Sequence, residues 1–189
     1  MQISTLLAGR RSRRSFTQRE VAQEDIDAIF EAARWAPSSG NRQPWRYLFR
    51  RSVSGHPGLS ACLTRGNQWA LAAPLLVVQA TRVADGGQTN GVPYAFLDCG
   101  LSLMSLIVEA ESRGMRAHPM AGWIEEPLRT AFELPTDWQP TVVVAVGYEG
   151  TLDQLDIALQ EKEQRPRVRR PLEAVRAADR WPSRWSEEP

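Results

Sequence analysis

Histidine and cysteine are scarce, with two of each in 189 residues. His56 and His118 are too few for a histidine-based zinc site. Cys62 and Cys99 form no Cys-x-x-Cys pair and match no metal-ligand spacing. Both are expected to be reduced, buried and without a catalytic role. Lysine is rarer still: Lys162 is the only one among 23 basic residues. Charge of one sign is also lacking. With 22 acids the net formal charge is +1, which leaves no global field for nucleic acid or a membrane surface. No Gly-x-Gly-x-x-Gly follows a strand-like run, so the dinucleotide fingerprint is absent. Residues 85–91 are Gly-rich but lack the lysine and the spacing of a phosphate loop. The most apolar stretch, 96–110, is interrupted by Asp98 and Glu109 and is too short for a membrane span. The N-terminus lacks the charged and apolar regions of a signal peptide, and a cytoplasmic protein is expected.

What remains is an ordinary soluble composition, 42% hydrophobic and 24% charged, long enough for one domain over 1–189 with a real core. Ile3, Leu6, Leu7 and Arg10 fall at helical spacing, ending at Gly9. Ile26, Ile29, Phe30 and Ala33 repeat it, with Glu24, Asp25 and Asp27 loading the first turn. An edge-like strand is predicted over 45–50, a surface turn over 51–58, and a helix over 59–73 stopped by Pro74. Leu75-Leu76-Val77-Val78 reads as a central strand, and 85–91 as a flexible, lid-like loop. Residues 96–110 are apolar on all sides, the pattern of a buried helix. Asp98 within it is expected to be capped or paired. A short helix starting at Pro127 turns Leu128, Ala131 and Phe132 inward. Residues 141–148 are β-branched and continuously apolar, which predicts a strand covered on both faces. A short helix follows over 151–161. Trp181 and Trp185, four apart, predict a docked terminus.

Three stretches carry chemistry. Residues 36–46, Ala-Pro-Ser-Ser-Gly-Asn-Arg-Gln-Pro-Trp-Arg, lie between a helix and a strand. Pro37 and Pro44 stiffen the backbone, and Gly40 and Asn41 tolerate left-handed angles. Ser38, Ser39, Asn41 and Gln43 then present donors and acceptors on a stiff frame, suited to a heteroaromatic ring edge bearing carbonyls. Arg10-Arg11-Ser12-Arg13-Arg14-Ser15-Phe16 offers guanidinium forks and a hydroxyl to a dianion. A second cluster, Arg165-Pro166-Arg167-Val168-Arg169-Arg170, lies about 150 residues away. Asn67 reads equally as a turn residue or a ligand contact. His118, beside Pro119, reads as structural. Small residues at Ala121 and Gly122 permit close approach of the backbone to a ligand.

The loop over 36–46 resembles the signature loop of the FMN-dependent nitroreductase family. Arg10-Arg11-Ser12-x-Arg14-x-Phe16 resembles that family's opening motif, and the pair Arg167 and Arg169 before Pro171-Leu172 resembles its returning phosphate contacts. The resemblance implies an α+β, nitroreductase-like fold: a mixed central β-sheet flanked by helices, in an intertwined homodimer with FMN at the interface. One subunit would supply Arg10, Arg11, Ser12, Arg14, Asn67, Pro119, Met120, Ala121, Gly122, Arg167 and Arg169. The partner would supply Pro37, Ser38, Ser39, Asn41 and Gln43. The helix over 96–110 would form part of the dimer core. The implied activity is ping-pong transfer of hydride from NADH or NADPH through flavin N5 to an electron-poor small molecule. Nitroaromatics, quinones and activated alkenes qualify. The family's flavin fragmentation, reductive dehalogenation and azoline oxidation are alternatives, as is a flavin-binding protein without turnover. Ala121 stands where some members carry a carboxylate.

Overall fold

The computed structural model describes residues 2–51, 56, 58–180 and 182. Trp181 and Trp185 lie outside them, as do 52–55 and 57 of the expected surface turn.

Helix α1 (Thr5–Gly9) leads into the extended arginine segment, and α2 (Gln23–Arg34) follows. Glu24 and Asp25 sit in the first turn of α2, and Ile26, Ile29 and Ala33 are buried along one side, as the spacing predicts. Strands β1 (Trp45–Arg51), β2 (Leu75–Thr81), β5 (Met115–Met120) and β6 (Gln139–Tyr148) form one sheet in the order β1-β2-β6-β5. The α+β class stands. A mixed sheet is expected, yet among the described residues the three pairings of this sheet are all antiparallel. β1 is the edge strand the sequence predicts.

The two inner strands explain their own composition. Leu75 and Val77, with Val144 and Val146, face α2 and the long helix α3 (Ala95–Ser112). Leu76 and Val78, with Val143 and Ala145, face the opposite layer, where Phe16, Leu63, Leu128 and Phe132 pack. Alternate residues thus enter two different cores, and a strand covered on both sides can be apolar throughout.

Four local readings need correction. The helix predicted over 59–73 is two 3₁₀ segments, Leu59–Cys62 and Arg65–Ala72, separated by extended residues. The helix predicted over 151–161 is a 3₁₀ turn, Leu152–Gln154, followed by α5 (Ile157–Gln164). Thr151 and Gln154 form a capping box on the first and Asp156 caps the second, so two N-caps in six residues break what would be one helix. Helix α4 (Glu125–Phe132) begins two residues before Pro127, which a first turn tolerates. The stretch read as a lid-like loop carries regular structure: a 3₁₀ turn, Val83–Gly86, runs into a hairpin of β3 (Gln88–Thr89) and β4 (Val92–Pro93). Asn90 and Gly91 make its two-residue turn at φ 52° and 79°, the left-handed pair that a tight hairpin requires.

Candidate functional site

The loop after α2 is held as a rigid shape. Gly40, Asn41 and Gln43 all lie in the left-handed region, at φ 57°, 54° and 48°. Gly40 and Asn41 accept this readily. Gln43 does not, and local bonds fix it there. Its amide N–H donates to Ser38 Oγ at 3.0 Å, and its side-chain nitrogen donates to Asn41 Oδ1 at 2.9 Å. Buried Asp98, in the first turn of α3, accepts the Ser39 N–H with both oxygens at 3.2 Å, the pairing expected of it. Thr81 Oγ1 donates to Pro44 O at 2.9 Å and closes the exit.

The arginine segment lies elsewhere on the chain, against the two ends the sequence expects. Arg10 donates to Ser12 Oγ at 3.3 Å. Arg11 donates to Arg165 O at 2.8 Å. Arg167 donates to the carbonyls of Ala8 and Arg10. The two basic clusters therefore meet, despite their separation in sequence. The Arg167 guanidinium is committed to backbone carbonyls and braces α1 and the segment after it. Among the described residues Arg169 reaches only the carbonyl of its neighbour Val168, and it is exposed.

Asn67 and Gly122 also come together. The Gly122 carbonyl accepts from Thr64 N at 3.1 Å, Thr64 Oγ1 at 3.0 Å and Asn67 Nδ2 at 3.0 Å. A Cβ on Gly122 would lie 2.5 Å from Asn67 Nδ2 and 2.6 Å from Thr64 Oγ1. Any larger residue would push the end of one or both of these side chains aside. Pro119 and Met120 end β5, and Ala121 and Gly122 make the turn after it.

His118 sits between these groups. Its Nδ1 is 2.9 Å from Arg13 O, and its ring is 4.5 Å from that of Trp69. Burial, reinforced by the charges of Arg14 and Arg10, pushes its pKa down from 6.5 to about 4. The imidazole is neutral at pH 7 and structural, as expected. The unfolded chain binds this proton first, so stability is complete above pH 6.5 and falls as pH drops toward 4. The full loss is about 3 kcal/mol. Urea unfolding at pH 7.5 and 4.5 is expected to show a drop in wild type that His118→Gln lacks. Equal drops in both proteins would mean His118 is not the titrating group.

Sequence reasoning missed Glu163. This buried carboxylate of α5 accepts from Arg14 NH1 at 2.9 Å and Arg13 NH1 at 3.3 Å. Arg13 Nε also faces Glu149 at 2.9 Å, as an ion contact without hydrogen-bond alignment. Beside them a cavity of about 910 Å³ is lined by Arg14, Phe16, Arg65, Trp69, Leu159 and Lys162, among others. Arg14 is the one predicted site residue on its wall. The Trp69 indole N–H is buried and, among the described residues, has no acceptor.

The predicted residues therefore form two groups. One joins the arginine segment, Asn67, 119–122 and Arg167. The other is the loop over 36–46 on the start of α3. Among the described residues no hydrogen bond or ion pair joins the two. Nor do these residues contain any cluster of three His, Cys, Asp or Glu fit for a metal, or any helix long and apolar enough to cross a membrane.

Comparison with known proteins agrees with this fold. A 15.4 kDa protein of Mycolicibacterium smegmatis is 41% identical over 125 residues, 65% of this chain and 82% of its own length. A Stutzerimonas stutzeri protein named "Putative NADH dehydrogenase/NAD(P)H nitroreductase" is 27% identical, covering 77% of this chain and 84% of its own. A crystal structure described as an oxidoreductase containing FMN superposes with TM-score 0.84 at 26% identity, over 96% of this chain and 94% of that one. The sequence profile of the nitroreductase family matches residues 7–56 and 56–148, and the chain belongs to that family.

Proposed function

We propose that this chain is an FMN-dependent oxidoreductase that takes electrons from NADH or NADPH and passes them to an electron-poor small molecule. Nitroaromatics, quinones and activated alkenes are the acceptor classes. The meeting of the two arginine clusters, on a segment that also reaches His118 and Trp69, carries the reading. The printed names of its relatives support it, both the FMN-containing oxidoreductase and the NAD(P)H nitroreductases.

The donor set fits FMN. Arg10 makes one weak side-chain bond and Arg169 one bond to a neighbouring carbonyl, so both retain N–H donors for a phosphate. Ser12 accepts from Arg10 and keeps its own hydroxyl hydrogen. Arg11 adds a second fork, and Arg167 holds the segment in place from behind. At the other end Asn67 retains one amide hydrogen and its Oδ1, and Trp69 contributes an orphaned N–H. These suit the carbonyl-rich edge of a flavin. When bound, FMN supplies hydride acceptance and return at N5, which no side chain here can perform.

The residues have separable tasks. Arg10, Arg11, Ser12 and Arg169 anchor the phosphate. Arg14 places positive charge where negative charge accumulates on reduction. The backbone of Pro119, Met120, Ala121 and Gly122, clamped by Thr64 and Asn67, supports the ring. A second copy of the chain brings Pro37, Ser38, Ser39, Asn41 and Gln43 to the same ligand, which is why this loop is prebuilt on α3 and unattached to its own arginine segment. Ala121 leaves the ring's neighbourhood without a carboxylate, which favours a broad choice of acceptor.

The test is an absorption spectrum of the purified protein, loaded with FMN, before and after anaerobic NADH or NADPH. About one flavin per chain, bleached by reductant and restored by a quinone or nitroaromatic, is the expected result. Protein that takes up no FMN would overturn the reading. Flavin that binds but resists both nicotinamides would reduce it to a binding protein.

A further inference from the structure

Glu163 is buried, ionisable and unused by the mechanism above. It is 6% exposed, the only buried residue of α5. No other residue of that helix is buried, and its Ile157 is 76% exposed. The Glu163 carboxylate is spent on two neighbouring guanidinium groups, Arg14 through Oε1 and Arg13 through Oε2. Arg13 has Glu149 as a second acid. Arg14 has no other ion pair among the described residues. It lies 5.9 Å from the Trp69 ring and on the cavity wall, which also includes Leu159 and Lys162 of the same α5. Arg10 and Arg11, in contrast, face no carboxylate among the described residues.

We propose that Glu163 is a positioning residue for FMN. It fixes the Arg14 guanidinium at the flavin edge and offsets part of its charge, so that α5 sets the reduction potential of the bound cofactor. The inference rests on the FMN reading. It divides the arginine segment by function: Arg10 and Arg11 keep full charge for a phosphate dianion, while Arg14 is partly neutralised against a ring that gains charge only on reduction. An unpaired Arg14 would favour the reduced, negatively charged flavin more strongly. The buried acid moderates that preference and keeps the arginine from swinging toward the phosphate.

Glu163→Gln separates charge from shape. Glutamine keeps an acceptor for Arg14 and loses the negative charge. The midpoint potential of bound FMN is expected to rise, with reduced FMN gaining affinity several-fold relative to oxidised FMN. Glu149→Gln is the control: it removes an acid from Arg13 without touching Arg14, and should leave the potential at its wild-type value. If Glu163→Gln does not fold, Arg13→Gln takes its place. Glu163 would then face Arg14 alone, and the potential should fall. A wild-type potential in Glu163→Gln, or shifts in Glu163→Gln and Glu149→Gln of equal size, would overturn the assignment while leaving the FMN reading intact. Wild-type protein that binds no FMN would remove both. Potential and relative affinity are the readouts because a loss of helix packing alone would change stability without moving either.

Discussion

Leu101→Glu is expected to leave a folded monomer that no longer retains FMN. The prediction starts from α3, whose composition exceeds what one chain needs. Its inner side, with Leu106, Ile107 and Ala110, fills the core against α2 and the sheet. Its outer side is also apolar: Phe96 is 48% exposed, Leu97 57%, Leu101 40% and Met104 38%. Residues 97, 101 and 104 fall on one stripe of a helix, and 96 flanks it. Such a stripe on the longest helix marks a face that something covers. A second copy of this chain is the occupant proposed above. Covering each half-exposed side chain contributes roughly 1 kcal/mol, or on the order of 8 kcal/mol over eight residues in a symmetric pair. A glutamate at 101 enters such an interface twice, and each unpaired buried carboxylate costs several kcal/mol. Because Leu101 belongs to none of the buried core clusters, the monomer should stay folded. Its flavin site would lack the partner's loop.

Gly100 sharpens the same test. A glycine inside a helix costs about 0.5–1 kcal/mol relative to alanine. A Cβ on Gly100 would meet nothing within 4 Å of its own chain, so nothing within the subunit demands it. It is exposed, between Leu97 and Leu101. In the proposed dimer, close passage of a partner helix gives this position a reason to lack a side chain. Gly100→Ala should therefore weaken the dimer in sedimentation while stabilising any monomer. Dimer strength unchanged in Gly100→Ala and undamaged by Leu101→Glu would place the interface elsewhere.

How much of this was legible in the sequence depends on the range of the interaction that fixed each feature. The sheet's inner strands and α2 announced themselves because burial on known faces imposes a local period. The arginine segment, the loop over 36–46 and Asn67 were recognisable as residue types in order. The Asn90-Gly91 turn is also locally encoded, as the two-residue hairpin signal between Thr89 and Val92, though the glycines before it blur that signal. Glu163 was different in kind. It stands in a polar run, Glu161-Lys162-Glu163-Gln164, that reads as a solvated helix face. Only the return of α5 onto Arg13 and Arg14 buries it. Arg167 shows the same limit from the other side: its position was foreseen, but not that its guanidinium would be committed to Ala8 and Arg10. Gly122 was expected to be small for a ligand's sake, and the structure gives a reason inside the chain.

That reason makes Gly122→Ala the second substitution with a large expected effect. The added methyl would stand 2.5 Å from Asn67 Nδ2 and 2.6 Å from Thr64 Oγ1, so one or both of these side chains must shift and the clamp on the Gly122 carbonyl should loosen. Overpacking of this kind costs about 1–3 kcal/mol. It also displaces Asn67, so FMN affinity should fall together with melting temperature. Asn67→Ala separates the two consequences. There the carbonyl keeps both Thr64 donors, at 3.1 and 3.0 Å, so stability should change by no more than about 1 kcal/mol. If Asn67 contacts the flavin edge, affinity for FMN should still drop about tenfold, the effect of one lost hydrogen bond. Chemical unfolding and an FMN titration on the two variants read both quantities. Wild-type affinity in Asn67→Ala would confine Asn67 to the clamp. Wild-type stability in Gly122→Ala would show that Asn67 swings aside freely and that the turn after β5 is not rigid. Loss of both quantities in Gly122→Ala, against loss of affinity alone in Asn67→Ala, is what a carbonyl clamp that also presents a ligand contact requires.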